Sequence, residues 1–542
     1  MRHKTYKKIV LVVLDGFGIA SESHGNAIAQ AKIPTFNFIT ANFPSYTIQA
    51  SGPLVGLPWG EMGNSEVGHL NIGAGRIVGQ DLPRITTSIQ NGDFFKNKAF
   101  LGAVAHVKNN GSRLHIMGMV SPGGVHSFDE HLYAMLGFLE QQHVAEAYIH
   151  MFTDGRDTDQ KIAKETLVKL RTKISQTGVG TIATIAGRFY AMDRGGHWAQ
   201  TAMEYQALVD GKGELFHSPE ECIESNYQNG IFDEMIQPSV ILNDQNEPVG
   251  KISDNDAVIF INFRQDRALQ LTKMFVKPSD VPEEFRRSPL QNLFFVTMCE
   301  YEQDLPVHVA FLPMDLKNNL AEIISNKNMT QFHIAESEKY AHVTAFFNGG
   351  RTNKFPNEER VIVTSPEDNA HNYVDKPEMS APELTNILVE KITKTETNFL
   401  LANYANGDMV GHTGSLPASI KAVEYLDVCM KRVLDACLLV DAALIITADH
   451  GNVEQMINMK TGEIDKDHTT SPVPFLLAAN EFKFKQSLSS HTYIGLSAQV
   501  PIGAISDIAP TILDLFGMEK PMEMTGVSLL DEMAKLVNNH LI

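Results

Sequence analysis

Four short apolar runs constrain the fold most: "IVLVVL" (9–14), "AVIFINF" (257–263), "NFLLANYAN" (398–406) and "AALIITA" (442–448). Each is short for a buried helix, and all but 398–406 are rich in β-branched residues, so each reads as a strand covered on both faces. Amphipathic segments between them read as helices. The fold class expected is α/β with largely parallel sheets. Asp15, Arg264, Asp408 and Asp449 follow these runs closely. In open α/β sheets ligands bind outside the carboxyl ends of the strands. For a single Asp, capping of the next helix is the commoner explanation.

A chain of 542 residues suggests two to four domains. Its 43% hydrophobic and 20% charged residues are a globular composition, without solenoid or propeller repeats. The formal net charge of -19 opposes non-specific attraction to nucleic acid or anionic membrane. An anionic ligand would therefore need local arginine clusters. Cys222, Cys299, Cys429 and Cys437 show neither C-x-x-C spacing nor disulfide-scaffold density, which points to packing roles in a reducing compartment. The apolar run at 9–14 is too short for a signal peptide, and no run approaches the ~20 residues of a membrane span. A soluble cytoplasmic protein is expected.

Candidate metal ligands come from opposite ends of the chain: Asp15 and Ser65 near the start, then Asp408 and His412 in "DMVGH", Asp449 and His450 in "ADHGN", and His468 in "DHTTSPVP". Spacing i, i+4 puts Asp408 and His412 on one helix face, while the adjacent Asp449 and His450 can converge only from a loop or strand end. Each has an ordinary reading as a surface or hydrogen-bonded residue. Together, oxygen and nitrogen ligands without thiolate suit Mn²⁺ or Mg²⁺ better than structural Zn²⁺. Ser65 lies in "EMGNSEVGH", which is not the G-x-S-x-G nucleophile elbow of a Ser-His-Asp hydrolase. A metal cluster would activate its hydroxyl without a histidine base. The competing reading makes Ser65 a helix N-cap.

Between these ends lie "TDGRDT" with Arg156 and Asp157, "GRFYAMDR" with Arg188 and Arg194, and "NFRQDR" with Arg264 and Arg267. Guanidinium groups bind carboxylate and phosphate bidentately. Singly, each is a surface salt bridge; three strand-end motifs combining Arg with Asp point to an oxyanion pocket. "GGVHS" adds His126, and "ESEKYAHVTAFFNGG" adds Lys339, which could neutralise a transferring phosphoryl group. The glycines of "NIGAGRIVG" match a dinucleotide fingerprint only loosely and are set aside. The expected architecture is a discontinuous metal domain, 1–76 and 311–542, interrupted by an arginine-bearing domain at 77–310.

These motifs, with "HTTSPVP" and "DIAPTILDLFG", occur in the order found in the cofactor-independent (2,3-bisphosphoglycerate-independent) phosphoglycerate mutase family, which the chain resembles from about Ile9 to about Leu530. The resemblance implies an alkaline-phosphatase-like domain holding an inserted transferase domain, with a substrate cleft between them. It implies two Mn²⁺, with Co²⁺ or Mg²⁺ as alternatives, and no 2,3-bisphosphoglycerate. Asp408, His412 and His468 would hold one ion; Asp15, Ser65, Asp449 and His450 would hold the other. Ser65 would become phosphoserine while 3-phosphoglycerate and 2-phosphoglycerate interconvert. Substrate contacts would be His126, Arg156, Asp157, Arg188, Arg194, Arg264, Arg267 and Lys339, with Asp157 moving protons on the glycerate hydroxyls. A monomer acting on a small molecule is implied.

Two segments depart from the family pattern. After "AMDR" an acidic and then a basic residue usually precede Trp, whereas here Gly195, Gly196 and His197 intervene, putting the local loop and its salt bridges in question. The stretch "EDNAHNYVDKPEMSA" is also altered, and a changed surface loop is expected there. The alternative functions are a metal-dependent phosphomonoesterase of the alkaline phosphatase superfamily, for which the arginine-rich middle would be superfluous, and a non-catalytic phospho-ligand sensor, which predicts a damaged site.

Overall fold

The structure is a computed structural model that describes residues 4–144, 146–314, 316–366, 370–458, 460–488 and 490–539, the side chains of 370–372 and 538–539 excepted. The chain forms two compact units, 1–80 with 314–542, and 81–313. These divisions fall a few residues beyond positions 77 and 311. Phe311 still belongs to an edge strand, His308–Phe311, that pairs with Phe294–Cys299, and the first helix of the inserted unit starts at Asp81.

The discontinuous unit is built on a seven-stranded sheet among the described residues. Five strands run parallel, in the order Glu358–Val363, Gln331–Glu336, Phe399–Tyr404, Ile9–Leu14 and Ala443–Thr447. Val473–Ala478 and Ser45–Ile48 extend the sheet antiparallel. The central strand Ile9–Leu14 is buried at every position, as a strand covered by helices on both faces must be. Because its neighbours are parallel to it, Asp15, Lys339, Asp408 and Asp449 all leave the sheet at one edge. Glycine permits this crowding: Gly16 has φ +71°, and a Cβ there would lie 2.8 Å from Asp408 Cα.

The inserted unit carries an eight-stranded sheet among the described residues. Six successive strands, from His308–Phe311 through Phe294–Cys299, Ala257–Phe260, Leu114–Met119 and Ala147–Thr153 to Thr181–Gly187, are parallel. Alternation divides their side chains between two cores: Ile116, Ile149 and Ile259 on one face, Met117, Val258 and Phe260 on the other. The motifs carrying His126, Asp157, Arg188 and Arg264 all follow the carboxyl ends of these strands.

The four cysteines are free and buried. No helix among the described residues is long and apolar enough to cross a membrane. In "NIGAGRIVG", Gly73 lies inside the helix Ser65–Ala74 and Gly75 ends it at φ +62°, so these glycines serve packing and termination. In the altered stretch, 367–369 lie outside the described residues, and Ala370–Asp375 is a short helix with Tyr373 buried, not a surface loop. A buried aromatic anchors that segment to the protein.

Glu204, on the helix Trp198–Asp210, is fully buried and neither carboxylate oxygen has a hydrogen-bond partner. Burial pushes its pKa up to about 8 from 4.5. Folding therefore favours the protonated form: the stability contribution is complete below the unfolded pKa and is lost as pH rises from 4.5 through about 8. Glu204→Gln should remove a slope of about 1.4 kcal/mol per pH unit from that window. Denaturant unfolding at pH 5, 7 and 9 would check this, and an unchanged slope would refute it.

Candidate active site

Ser65 opens the helix Ser65–Ala74, but it does not cap it. The cap is Asn64, whose side chain accepts the backbone N–H of Val67 at 2.9 Å, which corrects the capping alternative for Ser65. With the cap supplied by its neighbour, the Ser65 hydroxyl is free for other partners. Its Oγ lies 3.0 Å from Asp15 Oδ1, 2.9 Å from His450 Nε2 and 2.8 Å from Lys339 Nζ. Lys339 also reaches Asp15 Oδ1 at 2.8 Å and Asp408 Oδ2 at 2.7 Å, and it is almost fully buried. Burial opposes charge on all three groups, yet Lys339 holds the Asp15 and Asp408 carboxyls well below the usual carboxylate range, and these carboxylates hold its ammonium well above its ordinary value.

Beside this lies a convergence of acceptors. Nε2 of His412 and Nε2 of His468 are 3.1 and 3.2 Å from Asp408 Oδ1, and 3.1 Å from each other. The opposite nitrogen of each ring is engaged by a backbone carbonyl: His412 Nδ1 with Lys466 O at 2.7 Å, His468 Nδ1 with Gly63 O at 2.8 Å. Donation from Nδ1 leaves the Nε2 lone pairs facing the carboxylate, the outer-shell arrangement typical of metal-binding histidines. Among the described residues, three groups can hold a cation by their chemistry: Asp408 with His412 and His468; Asp15 with Asp408 and His450; Asp15 with His69 and Asp449. Asp449 Oδ2 is buried and accepts no hydrogen bond. The donor set fits divalent cations.

His69 was not among the residues picked out by motif. Its Nδ1 contacts Ser65 O at 2.8 Å and Asp449 Oδ2 at 3.2 Å; its Nε2 lies 3.1 Å from the Asn403 amide, which also binds Asp15 Oδ2 at 2.7 Å. The i, i+4 spacing of Ser65 and His69 was the available signal. Asn403 is the last residue but one of a buried strand and offered none.

In the inserted unit, Arg188 is 2% exposed and its Nη1 donates to Asp154 Oδ1 at 2.6 Å and to Asp157 Oδ2. Its buried Nε has no partner. Asp157 lies 3.8 Å from His126 Nε2, and Asp266 gathers Arg194, Arg264 (3.2 Å) and His126 Nδ1 (3.6 Å). Arg156 reaches Glu234 at 3.3 Å, and Arg267 reaches the Met192 carbonyl at 3.3 Å. Burial and the neighbouring Arg188, Arg194 and Arg156 lower the Arg267 pKa. Guanidinium groups held against one another in this way favour an anion. Burial and Arg188 lower His126 to about 4, so its imidazole is neutral at pH 7. Asp154 and Asp266, both within the quoted motifs, organise the cluster, and an acid next to arginine carries no distinct signal in sequence. The Gly195–His197 loop is closed by Asp193, which accepts the His197 backbone N–H at 2.8 Å and pairs with its ring at 3.0 Å. Arg194 keeps its partner Asp266.

A relative from Clostridioides difficile (strain 630), 2,3-bisphosphoglycerate-independent phosphoglycerate mutase, is 46% identical over 527 residues, covering 97% of this chain and 99% of its own. The chain belongs to the 2,3-bisphosphoglycerate-independent phosphoglycerate mutase family. A second member, from Chloroflexus aggregans (strain MD-66 / DSM 9485), is 46% identical over 544 residues, covering 97% and 98%. The family model for the BPG-independent PGAM N-terminus matches residues 85–303, inside the inserted unit. Among solved structures, a Leishmania mexicana phosphoglycerate mutase determined at low cobalt concentration is 28% identical with a TM-score of 0.62, covering 97% of this chain and 98% of its own. This mutase-family chain is thus α/β throughout, with groups of Asp and His suited to metal.

Proposed function

We propose that the chain interconverts 3-phosphoglycerate and 2-phosphoglycerate by ping-pong transfer through a phosphoserine on Ser65. The observation that carries this is the Ser65 hydroxyl, set among Asp15, His450 and Lys339 beside the Asp408–His412–His468 cluster. The names of the relatives support the substrate. Asp408, His412 and His468 would hold one divalent ion, and Asp15, Ser65, Asp449 and His450 a second, Mn²⁺ being the first choice and Co²⁺ or Mg²⁺ alternatives. Bound cations would supply positive charge that lowers the hydroxyl pKa of Ser65 and offsets charge on the phosphoryl group.

In the first half-reaction Ser65 Oγ, deprotonated as bound cations would favour, bonds to phosphorus and the bond to the glycerate oxygen breaks; in the second, Oγ leaves as the same alkoxide, so one proton, held by Asp157 at the start, serves the whole cycle. Lys339 offsets charge on the phosphoryl oxygens. Asp157, which we assign the proton traffic, protonates the departing oxygen, and then takes the proton of the other hydroxyl as that oxygen recovers the phosphoryl group. The carboxylate of glycerate is assigned to the arginines, Arg156, Arg188, Arg194, Arg264 and Arg267, with neutral His126 as a hydrogen-bonding neighbour. A phosphomonoesterase reading draws on one fact: Ser65, Lys339 and every candidate ligand belong to the discontinuous unit. Retention of glycerate for the return step is what gives the arginines a purpose. The reading carries with it a cytoplasmic monomer.

Chelated protein should be inactive in a coupled assay without added bisphosphoglycerate, and Mn²⁺ or Co²⁺ should restore isomerisation. A requirement for bisphosphoglycerate would overturn the mechanism. Release of mainly inorganic phosphate from 3-phosphoglycerate would establish the esterase instead.

A further inference from the structure

Glu454 is 1% exposed, lies beneath the candidate metal ligands, and takes no part in the chemistry above. Its Oε2 accepts the backbone N–H of Gly18 at 3.1 Å and of Asn452 at 2.8 Å; its Oε1 accepts the Thr469 hydroxyl. Those three partners sit on different loops. Gly18 is in the turn after Asp15, Asn452 follows Asp449 and His450, and Thr469 follows His468. The segment of Asp408 and His412 is reached at one remove, since Asn452 Nδ2 donates to Asp408 Oδ1 at 3.3 Å.

The backbone is shaped to admit this carboxylate. A Cβ on Gly18 would lie 2.4 Å from Glu454 Cδ, and one on Gly451 would lie 2.3 Å from Oε1, so a side chain at either position would displace the carboxylate from its place. Backbone bonds join the same loops, from Val453 N to Gly16 O at 3.1 Å and from Thr469 N to Gly451 O at 3.0 Å. The Thr469 hydroxyl accepts Ser471 N at 3.2 Å, so its proton is directed to Glu454. Loops ending parallel strands have no ladder to fix their separation. Beyond these few backbone bonds, one side-chain acceptor is shared by the loops after Ile9–Leu14 and Ala443–Thr447 and by the loop before Val473–Ala478.

We propose that Glu454 is a positioning residue that registers four of the ligand-bearing segments, those of Asp15, Asp408, Asp449–His450 and His468, with one another and thereby sets metal affinity. The proposal rests on the metal assignment of Asp408, His412 and His468. It separates acceptor geometry from negative charge: Glu454→Ala removes every acceptor, whereas Glu454→Gln retains a carbonyl oxygen for Gly18 and Asn452.

Co²⁺ affinity by chelator competition, the visible absorption of the bound Co²⁺, and the thermal midpoint of metal-free protein should be measured for both variants, for Thr469→Val and for Asp408→Asn. Glu454→Ala should bind Co²⁺ about 10- to 100-fold more weakly, with an altered absorption band, as loss of outer-shell partners does. Glu454→Gln should recover most of that loss, and Thr469→Val should lose a few-fold. If Asp408→Asn is impaired while Glu454→Ala keeps wild-type affinity and spectrum, the positioning role is overturned, whatever happens to the thermal midpoint. If Asp408→Asn binds as wild type does, the metal assignment falls and this proposal with it. Should Glu454→Ala fail to fold, Thr469→Val decides, and wild-type affinity and absorption in that variant would overturn the proposal.

Discussion

A Ser65→Ala protein should lose isomerisation by about four to six orders of magnitude, the scale seen when a covalent nucleophile is removed from an enzyme. The expected loss is in kcat, because without Oγ there is no acceptor for the phosphoryl group, and no other residue can take over the ester. The fold should survive. Asn64 supplies the helix cap, and alanine is well tolerated at the first helical position. Lys339 retains its ion pairs with Asp15 and Asp408 in that variant. The check is a coupled assay with intact-protein mass measurement after mixing with substrate. Wild type should carry added phosphate mapping to Ser65, and the variant none. Isomerisation undiminished in Ser65→Ala would remove the covalent mechanism altogether.

Arg188→Met should be the most damaging change in the inserted unit, for two separable reasons. The guanidinium sits between Asp154 and Asp157, and Asp154 is fully buried with bonds already committed to Ser121 and to the backbone of Arg156 and Asp157. Removing the cation strands a buried carboxylate, and breaking such a pair costs about 3–5 kcal/mol. The second loss is functional. Arg188 Nε is a buried donor without a partner, and the cluster around it has arginine to spare. Methionine fills the volume but offers no donor. Activity should fall by at least about 100-fold, with KM for phosphoglycerate raised. Arg188→Lys should recover part of the stability and little of the activity, since an ammonium is a point charge without the planar fork. Denaturant unfolding alongside steady-state kinetics would separate the effects. Full activity in a folded Arg188→Met protein would remove Arg188 from the substrate site.

Much of this was readable in order along the chain. The short apolar runs became strands buried at every position, with no polar face presented to water, and the acids after them stand at one end of the sheet because the strands are parallel. What failed to show were residues acting through partners distant in sequence. Glu454 is an unremarkable acid four positions after His450 until Gly18 and Thr469 are brought to its carboxylate. Asn403 is hidden inside an apolar strand. Asp154 and Asp266 lie within two residues of arginines, and only the fold shows which acid the guanidinium groups converge on. The Ser65 cap reading failed by one position, because Asn64 and Ser65 are both good caps and only the helix start decides between them.

The sequence by itself determined the fold class, the family and the chemical kinds of group available, because periodicity and residue type are local properties. The tertiary structure alone decided which nitrogen of each histidine faces Asp408, that Lys339 is buried between two carboxylates, and that one acid holds three loops in register. Those are matters of distance between segments separated in sequence by as few as 15 and as many as 436 residues. Burial and charge pairing, which set the state of each group, exist only once the chain has brought them together.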